Sequence, residues 1–233
     1  MTDEADPLDA LRHAAAWAVT RGSLMFHLDL AATIAREHLD GNAMIADCDG
    51  WAVDVTSRGY EAVFVSDFPD SELAVVTFAA DGSPIVEAGR GAPSSRIRAL
   101  VTAARSIAAR GSRLPSTIIA IPPTAGSIGN EIEGYLLRRA DNPDAIAIGP
   151  HNRFRLSPDG RTIRASEPLA RSELILPARN EGDIGDVTVT HLLDDVPSEA
   201  HVYLSLRHGM VLSVITTSND EHWRVDGESI SLL

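Results

Sequence analysis

The stretch V-T-H-L-L-D-D-V-P-S-E-A-H-V-Y-L-S-L-R-H, from Val189 to His208, gathers three histidines and three carboxylates in a chain of 233 residues. If Val187 to His191 and His201 to Leu206 form a hairpin turning near Val196, His191 sits opposite His201. Glu199 precedes His201 by two residues and projects from the same strand face, completing a set of donors suited to a divalent metal such as zinc or iron. His208 falls in the next turn, seven positions on, roughly 20 Å along an extended strand. The alternating Val202, Leu204 and Leu206 face the other way, so the histidines occupy the more polar side, where a cross-strand His pair is ordinarily a surface or hydrogen-bonded platform. Tyr203 shares that face. With Trp223, placed on a terminal strand beside a polar turn, it is a candidate ligand-contacting aromatic, although such a Trp more often packs in a core with its N–H bonded to backbone.

Three other segments carry chemical types. Ala43-Met44-Ile45-Ala46-Asp47-Cys48-Asp49-Gly50-Trp51 resembles the first motif of haloacid-dehalogenase-type phosphatases, an apolar strand followed by D-x-D-G. That resemblance implies a nucleophilic role for Asp47 and a general-acid role for Asp49. It covers fewer than ten residues. Gly182-Asp183-Ile184-Gly185-Asp186 only loosely matches the family's acidic motif, and the meander after Trp51 departs from the parallel sheet that the family needs. A polar turn is the preferred reading. Ala125-Gly126-Ser127-Ile128-Gly129 resembles a relaxed G-x-S-x-G elbow with Ser127 as nucleophile, but Pro122-Pro123 displaces the serine from the strand end, which favours a loop. Cys48 lies between two aspartates, which raise a thiol's pKa and oppose reactivity.

The elements that must position these groups are legible from periodicity. Asp6-Pro7 opens a helix carrying Leu8, Leu11, Ala15, Ala18 and Val19; Arg21-Gly22-Ser23 interrupts it, and Leu24, Leu28, Ala31, Ala35 and Leu39 continue a second stripe to Gly41. A kinked helix or tight helical pair is expected. Trp51 to Thr56, Tyr60 to Ser66, Leu73 to Phe78 and Ile85 to Glu87 read as an antiparallel meander with short turns. Ser94-Ser95 caps a further helix with Ile97, Leu100, Val101, Ala104 and Ile107 on one side, closed by Gly111. Thr117 to Ile121 is apolar on both faces, as a central strand would be. Gly126 to Asn130 marks a seam, Glu131 to Arg138 a short helix, and the remainder a strand series ending at Trp223 to Val225.

The chain carries a formal charge of -13, and its 20 basic side chains are all arginine. Without lysine, no P-loop and no Schiff base can form. The acidity disfavours nucleic acid and anionic membranes as partners. No apolar run reaches a membrane span, the first residues are acidic where a signal peptide is basic, and the single cysteine suits a reducing compartment; a cytoplasmic location is expected.

From Phe154 onward, F-R-L-S-P-D-G-R-T-I, the segment from Val189 to Leu206, and W-R-V-D-G-E-S-I are similar to the tails of uncharacterised bacterial proteins. The resemblance implies a recurring domain and no activity. The expectation is an α+β protein of antiparallel sheets packed by three or four helices, in two closely associated lobes, 1–125 and 126–233, which could share one core. A non-enzymatic binding or regulatory module, for a small ligand or a protein partner, ranks ahead of a hydrolase, because no segment assembles nucleophile, base and electrostatic stabiliser. Homodimerisation is the default expectation.

Overall fold

The computed structural model describes residues 7–111, 115–123, 130–142, 145–177 and 186–233. Helix α1, Pro7–Leu39, runs unbroken for 33 residues, roughly 50 Å. The expected interruption at Gly22 is absent because that glycine lets a second helix cross closely. A Cβ there would lie 2.5 Å from Val202 Cβ and 2.6 Å from the Glu199 carbonyl oxygen. Ala15, Ala18, Met25, Leu28, Ala32, Ala35 and Leu39 form its buried stripe.

The meander follows as β1 (Gly50–Thr56), β2 (Gly59–Asp67), β3 (Asp70–Phe78) and β4 (Pro84–Ala88), antiparallel throughout and in sequence order. Ser94 then caps α2, Ser95–Ala108, its hydroxyl accepting from the Ile97 amide at 3.2 Å. A second antiparallel sheet holds β5 (Ser116–Ile121), β6 (Ile132–Arg138), β8 (His151–Leu156) and β9 (Ile163–Pro168) in the order β5-β6-β8-β9. Two expectations are corrected here. Residues 132–138 form a central strand, not a helix, with Tyr135 and Leu137 buried on one face and Gly134 on the other leaving room for Ile107 of α2. And β5 is an edge strand, apolar on both sides because helices, not sheet neighbours, cover it.

Strand β7 (Ala145–Ile148) pairs with β10 (Leu174–Pro177) in a separate antiparallel ribbon. The last sheet is β11 (Val187–His191), β12 (Val211–Thr216), β13 (Glu221–Asp226) and β14 (Ser229–Leu232), the last of which was not anticipated. Between β11 and β12 lies α3, Glu199–His208, and the two strands are parallel neighbours. The expected hairpin of residues 187–206 is therefore a strand-helix-strand crossover. Its caps explain the helix: Ser198 precedes it, and Gly209, at φ 60°, accepts the left-handed conformation that ends it.

The whole is an α+β fold, dominated by antiparallel strands. One buried cluster draws on both sides of position 125, from Leu28 and Val53 to Tyr203 and Val214. A second joins α2 to the opposite face of β1, β2, β6 and β8 through Ala52, Val63, Leu100, Ile132 and Phe154. Among the described residues no helix is long and apolar enough to cross a membrane.

Candidate functional site: a cleft between two sheet edges

The crossover places His191 and His201 together by a different route from the one expected. His191 ends β11, His201 lies in the first turn of α3, and their rings meet edge to face with centroids 5.1 Å apart. Both are buried. His201 Nδ1 accepts from the Ser198 amide at 3.0 Å, performing the reciprocal capping that Glu or Gln usually performs. Burial, reinforced by His191, pushes its pKa down to about 3. His191 Nε2 faces Asp194 Oδ2 at 3.4 Å.

Glu199 does not join them. Its Oε1 accepts from Tyr135 at 3.2 Å and from Arg153 Nη1 at 3.0 Å, within a network that also includes Glu133, Arg21 and Glu167. Burial raises its carboxyl pKa, against the opposing pull of Arg153. Among the described residues no group of three or more His, Cys, Asp or Glu side chains is arranged to hold a metal ion.

The other candidates separate likewise. Trp223 is a core residue whose Nε1 donates to Thr216 Oγ1 at 3.2 Å. Asp47 is exposed, whereas Asp49 Oδ2 accepts from the Asp67 amide at 2.8 Å and tethers the end of β2. The sheet around them is antiparallel, not the parallel arrangement that the phosphatase resemblance implies. Ser127, Asp6, the seam residues 126–129 and residues 182–185 of the acidic motif lie outside the described residues. Tyr203 takes a more informative position. Its hydroxyl donates to Asp29 Oδ2 at 2.8 Å, and its ring forms part of the wall of a cavity of about 630 Å³.

That cavity lies between edges of two of the three four-stranded sheets, at β1 and β5. The Arg96–Asp54 ion pair at 2.8 Å and the bond from Arg105 Nη2 to the Asp49 carbonyl at 3.0 Å show that α2 runs antiparallel to β1. Ile107 lies over Gly134, and Gly111 lies beside Leu136, residues paired with Ala120 and Ile118, so α2 is antiparallel to β5 as well. Strands β1 and β5 therefore run parallel to each other. Their closest Cα atoms come within 8 Å, yet no backbone register joins them. Bonded neighbours would be about 4.8 Å apart. The cavity runs along Asp49, which precedes β1, and Gly50 to Val53 within it, and along Ser116 to Ala120 of β5. The C-terminal half of α1 (Leu28 to Arg36) and the end of α3 close one side, α2 closes the other, and Arg138 to Ala140 with β7 line the remainder.

The lining has a sign. Arg36, Arg105, Arg138, Arg139, Arg207 and His208 border the cavity, against Asp29 and Asp49 alone. Several are already engaged: Arg138 with Glu173 at 3.0 Å, Arg105 with Asp67 at 3.1 Å, Arg207 with Asp29 at 3.5 Å. Arg36 sits 5.9 Å from the centroid of the Trp51 ring, and Arg139 is exposed. Among the described residues neither has a carboxylate within ion-pair distance. Burial and the neighbouring Arg207 push the His208 pKa down, Asp29 opposing them. Sequence reasoning missed this set because its members are spread from position 36 to position 208, and it assigned His208 to a turn. On a helix, seven positions return His208 to the His201 side only about 10 Å away.

Comparison with protein-family models, curated proteins and solved structures finds no match for this chain.

Proposed function

We propose that the protein is a non-enzymatic binding module that takes an anionic ligand with an apolar portion into the cleft between β1 and β5. The observation that carries this reading is the concentration of arginine around one cavity in a chain of net charge -13. An acidic surface repels anions, so a local cationic cavity selects both its ligand and the entry point. Its volume lies within the usual range for ligand sites, about 300 to 1,000 Å³, and its apolar wall, including Leu28, Val101 and Ile118, supplies burial. Tyr203 is the ligand-contacting aromatic, and the ligand lies where two associated lobes meet, since residues on both sides of position 125 line the cleft. The setting is cytoplasmic, without nucleic-acid or membrane partners, and the β14 edge offers a surface for homodimerisation.

The test uses 8-anilinonaphthalene-1-sulfonate, an anion on an aromatic body. Saturable one-to-one binding to the native protein is expected. The double variant Arg36→Ala, Arg139→Ala should weaken it about fivefold, the scale of one partly exposed charge contact, and Ala104→Trp should block it by filling the cavity. Circular dichroism on each variant distinguishes blocked binding from unfolding. Absence of saturable binding, or binding indifferent to these substitutions in folded protein, overturns the reading.

A further inference from the structure

The cavity has two unlike ends. Arg36 lies over the Trp51 ring, and His27 stacks on Tyr60, the partner of Val55, so α1 runs antiparallel to β1. Helix α3 runs in the same sense as α1, since Gly22 meets Glu199 and Val202 whereas Asp29 meets Tyr203 and Arg207. Helix α2 is antiparallel to β1, and the Arg139 amide donates to the Pro115 carbonyl just before β5. These senses bring Arg36, Arg105, Arg139, Arg207 and His208 to one end, where the arginines are exposed. Leu28, Val53, Leu100, Ile119 and Leu204 line the other, all buried. We propose, resting on the binding-module reading, that the ligand is a long aliphatic carboxylate whose head lies at the arginine end and whose chain runs inward along α1 to Leu28.

Such a cavity suits a ligand with one charge at one end. Arg36 and Arg139, with no carboxylate within ion-pair distance among the described residues, supply the partners of the head. Asp49 shares that end, but its Oδ2 turns to the Asp67 amide and the Ser66 hydroxyl. A head placed inward would lose its water among aliphatic side chains and face Asp29, which is costly. A hydrocarbon left at the arginine end would stay wet. The length also fits. From Leu28 to Arg36 the helix advances about 12 Å. Carbon–carbon bonds of about 1.5 Å, set in a zigzag, advance about 1.3 Å per carbon, so about ten carbons cover that distance. The inner walls are aliphatic and come from different elements, so successive methylenes gain burial without a shaped ring pocket.

The experiment displaces 8-anilinonaphthalene-1-sulfonate with hexanoate, octanoate and decanoate, and with decanol, each in dilute solution. Affinity should rise about fourfold for each added methylene, the transfer of one buried CH2. Decanol should bind about fivefold more weakly than decanoate, and Arg36→Ala with Arg139→Ala should remove that difference by weakening decanoate alone. Orientation is read from Trp51, at the arginine end: α-bromodecanoate should quench it more strongly than ω-bromodecanoate, with Trp51→Phe identifying its share of the emission. Saturable sulfonate binding that decanoate does not displace overturns the aliphatic ligand and leaves the binding module with a ring-bearing anion. Equal affinity for decanol and decanoate, affinity independent of chain length, or stronger quenching by ω-bromodecanoate overturns it likewise. If neither the sulfonate nor decanoate binds, both readings fail together.

Discussion

Glu199 shows how a residue chosen for one chemistry serves another. Its carboxylate is 2% exposed on the side chain and holds two donors, the Tyr135 hydroxyl and the Arg153 guanidinium, at the junction of α3 with β6 and β8. Arg153 in turn stacks toward Trp17 of α1, 5.2 Å from the ring centroid, so the network ties four elements together, α1, β6, β8 and α3. Removing one member of such a pair leaves the other's charge and hydrogen-bonding groups unmet, the expensive outcome, whereas the intact pair contributes little net stability. Glu199→Ala is therefore expected to lower unfolding free energy by about 3 kcal/mol, reduced from the upper end of the range because Arg153 retains Glu167 and some solvent contact. Urea denaturation monitored by tryptophan fluorescence measures it. Glu199→Gln, which keeps an acceptor for Tyr135, should recover part of the loss. Equal losses for Ala and Gln would show that the charge, not the hydrogen bonds, matters.

At the scale of elements, α2 was legible because one buried face and one wet face give a helical stripe, and the meander, although Ala62 to Ser66 of β2 are buried on both faces, was legible from its short β-type runs and the turn residues between them. Helix α3 has no such contrast. Residues 199–205 are all buried, and the alternating Val202, Leu204 and Leu206 imitate a strand. The legible signals were at its ends, Ser198 before it and Gly209 after it, with Arg207 and His208 in the last turn. The same double burial made β6 look helical. It also gave the His191–His201 contact for the wrong reason, since a parallel crossover, not a hairpin, joins them. Gly22 was read as a helix breaker when it is a crossing point. In an exposed helix Gly→Ala gains about 1 kcal/mol. Here the new Cβ would overlap Val202 and the Glu199 carbonyl, both on α3, and overpacking of this kind costs about 1 to 3 kcal/mol. Gly22→Ala should lower the melting temperature despite the propensity gain, and Gly22→Val should lower it further. A rise in melting temperature for Gly22→Ala would mean that α1 and α3 do not approach so closely in solution.

For the whole molecule, buried histidines tie the fold to pH. His151, pushed down by burial to about 4, and His201, down to about 3, both remain neutral in the folded state at pH values where an unfolded histidine is already charged. The unfolded chain therefore binds more protons below about pH 6.5. Stability is fully present above that value and is lost as pH falls toward the folded pKa values, by up to about 1.4 kcal/mol per pH unit for each histidine. Glu199 works in the opposite direction, since burial raises its carboxyl and acid favours the neutral form in the fold. As pH falls its contribution grows from its raised pKa down to the ordinary carboxylate value, one group against the buried histidines. A steep acid limb between pH 6 and 4 is thus expected in urea titrations repeated across pH. His201→Gln isolates the cause. Gln at this third helical position can still accept from the Ser198 amide, so the cap is retained, but it does not titrate. The variant should have lower or similar stability at pH 7 and an acid limb shallower by about one proton. Because the readout is a slope and not a stability, any packing loss from the smaller side chain shifts the whole curve without imitating the effect. An unchanged slope would place the acid sensitivity in His151 or in carboxylates, among them Asp194, whose pKa is lowered chiefly by its hydrogen bond with His191.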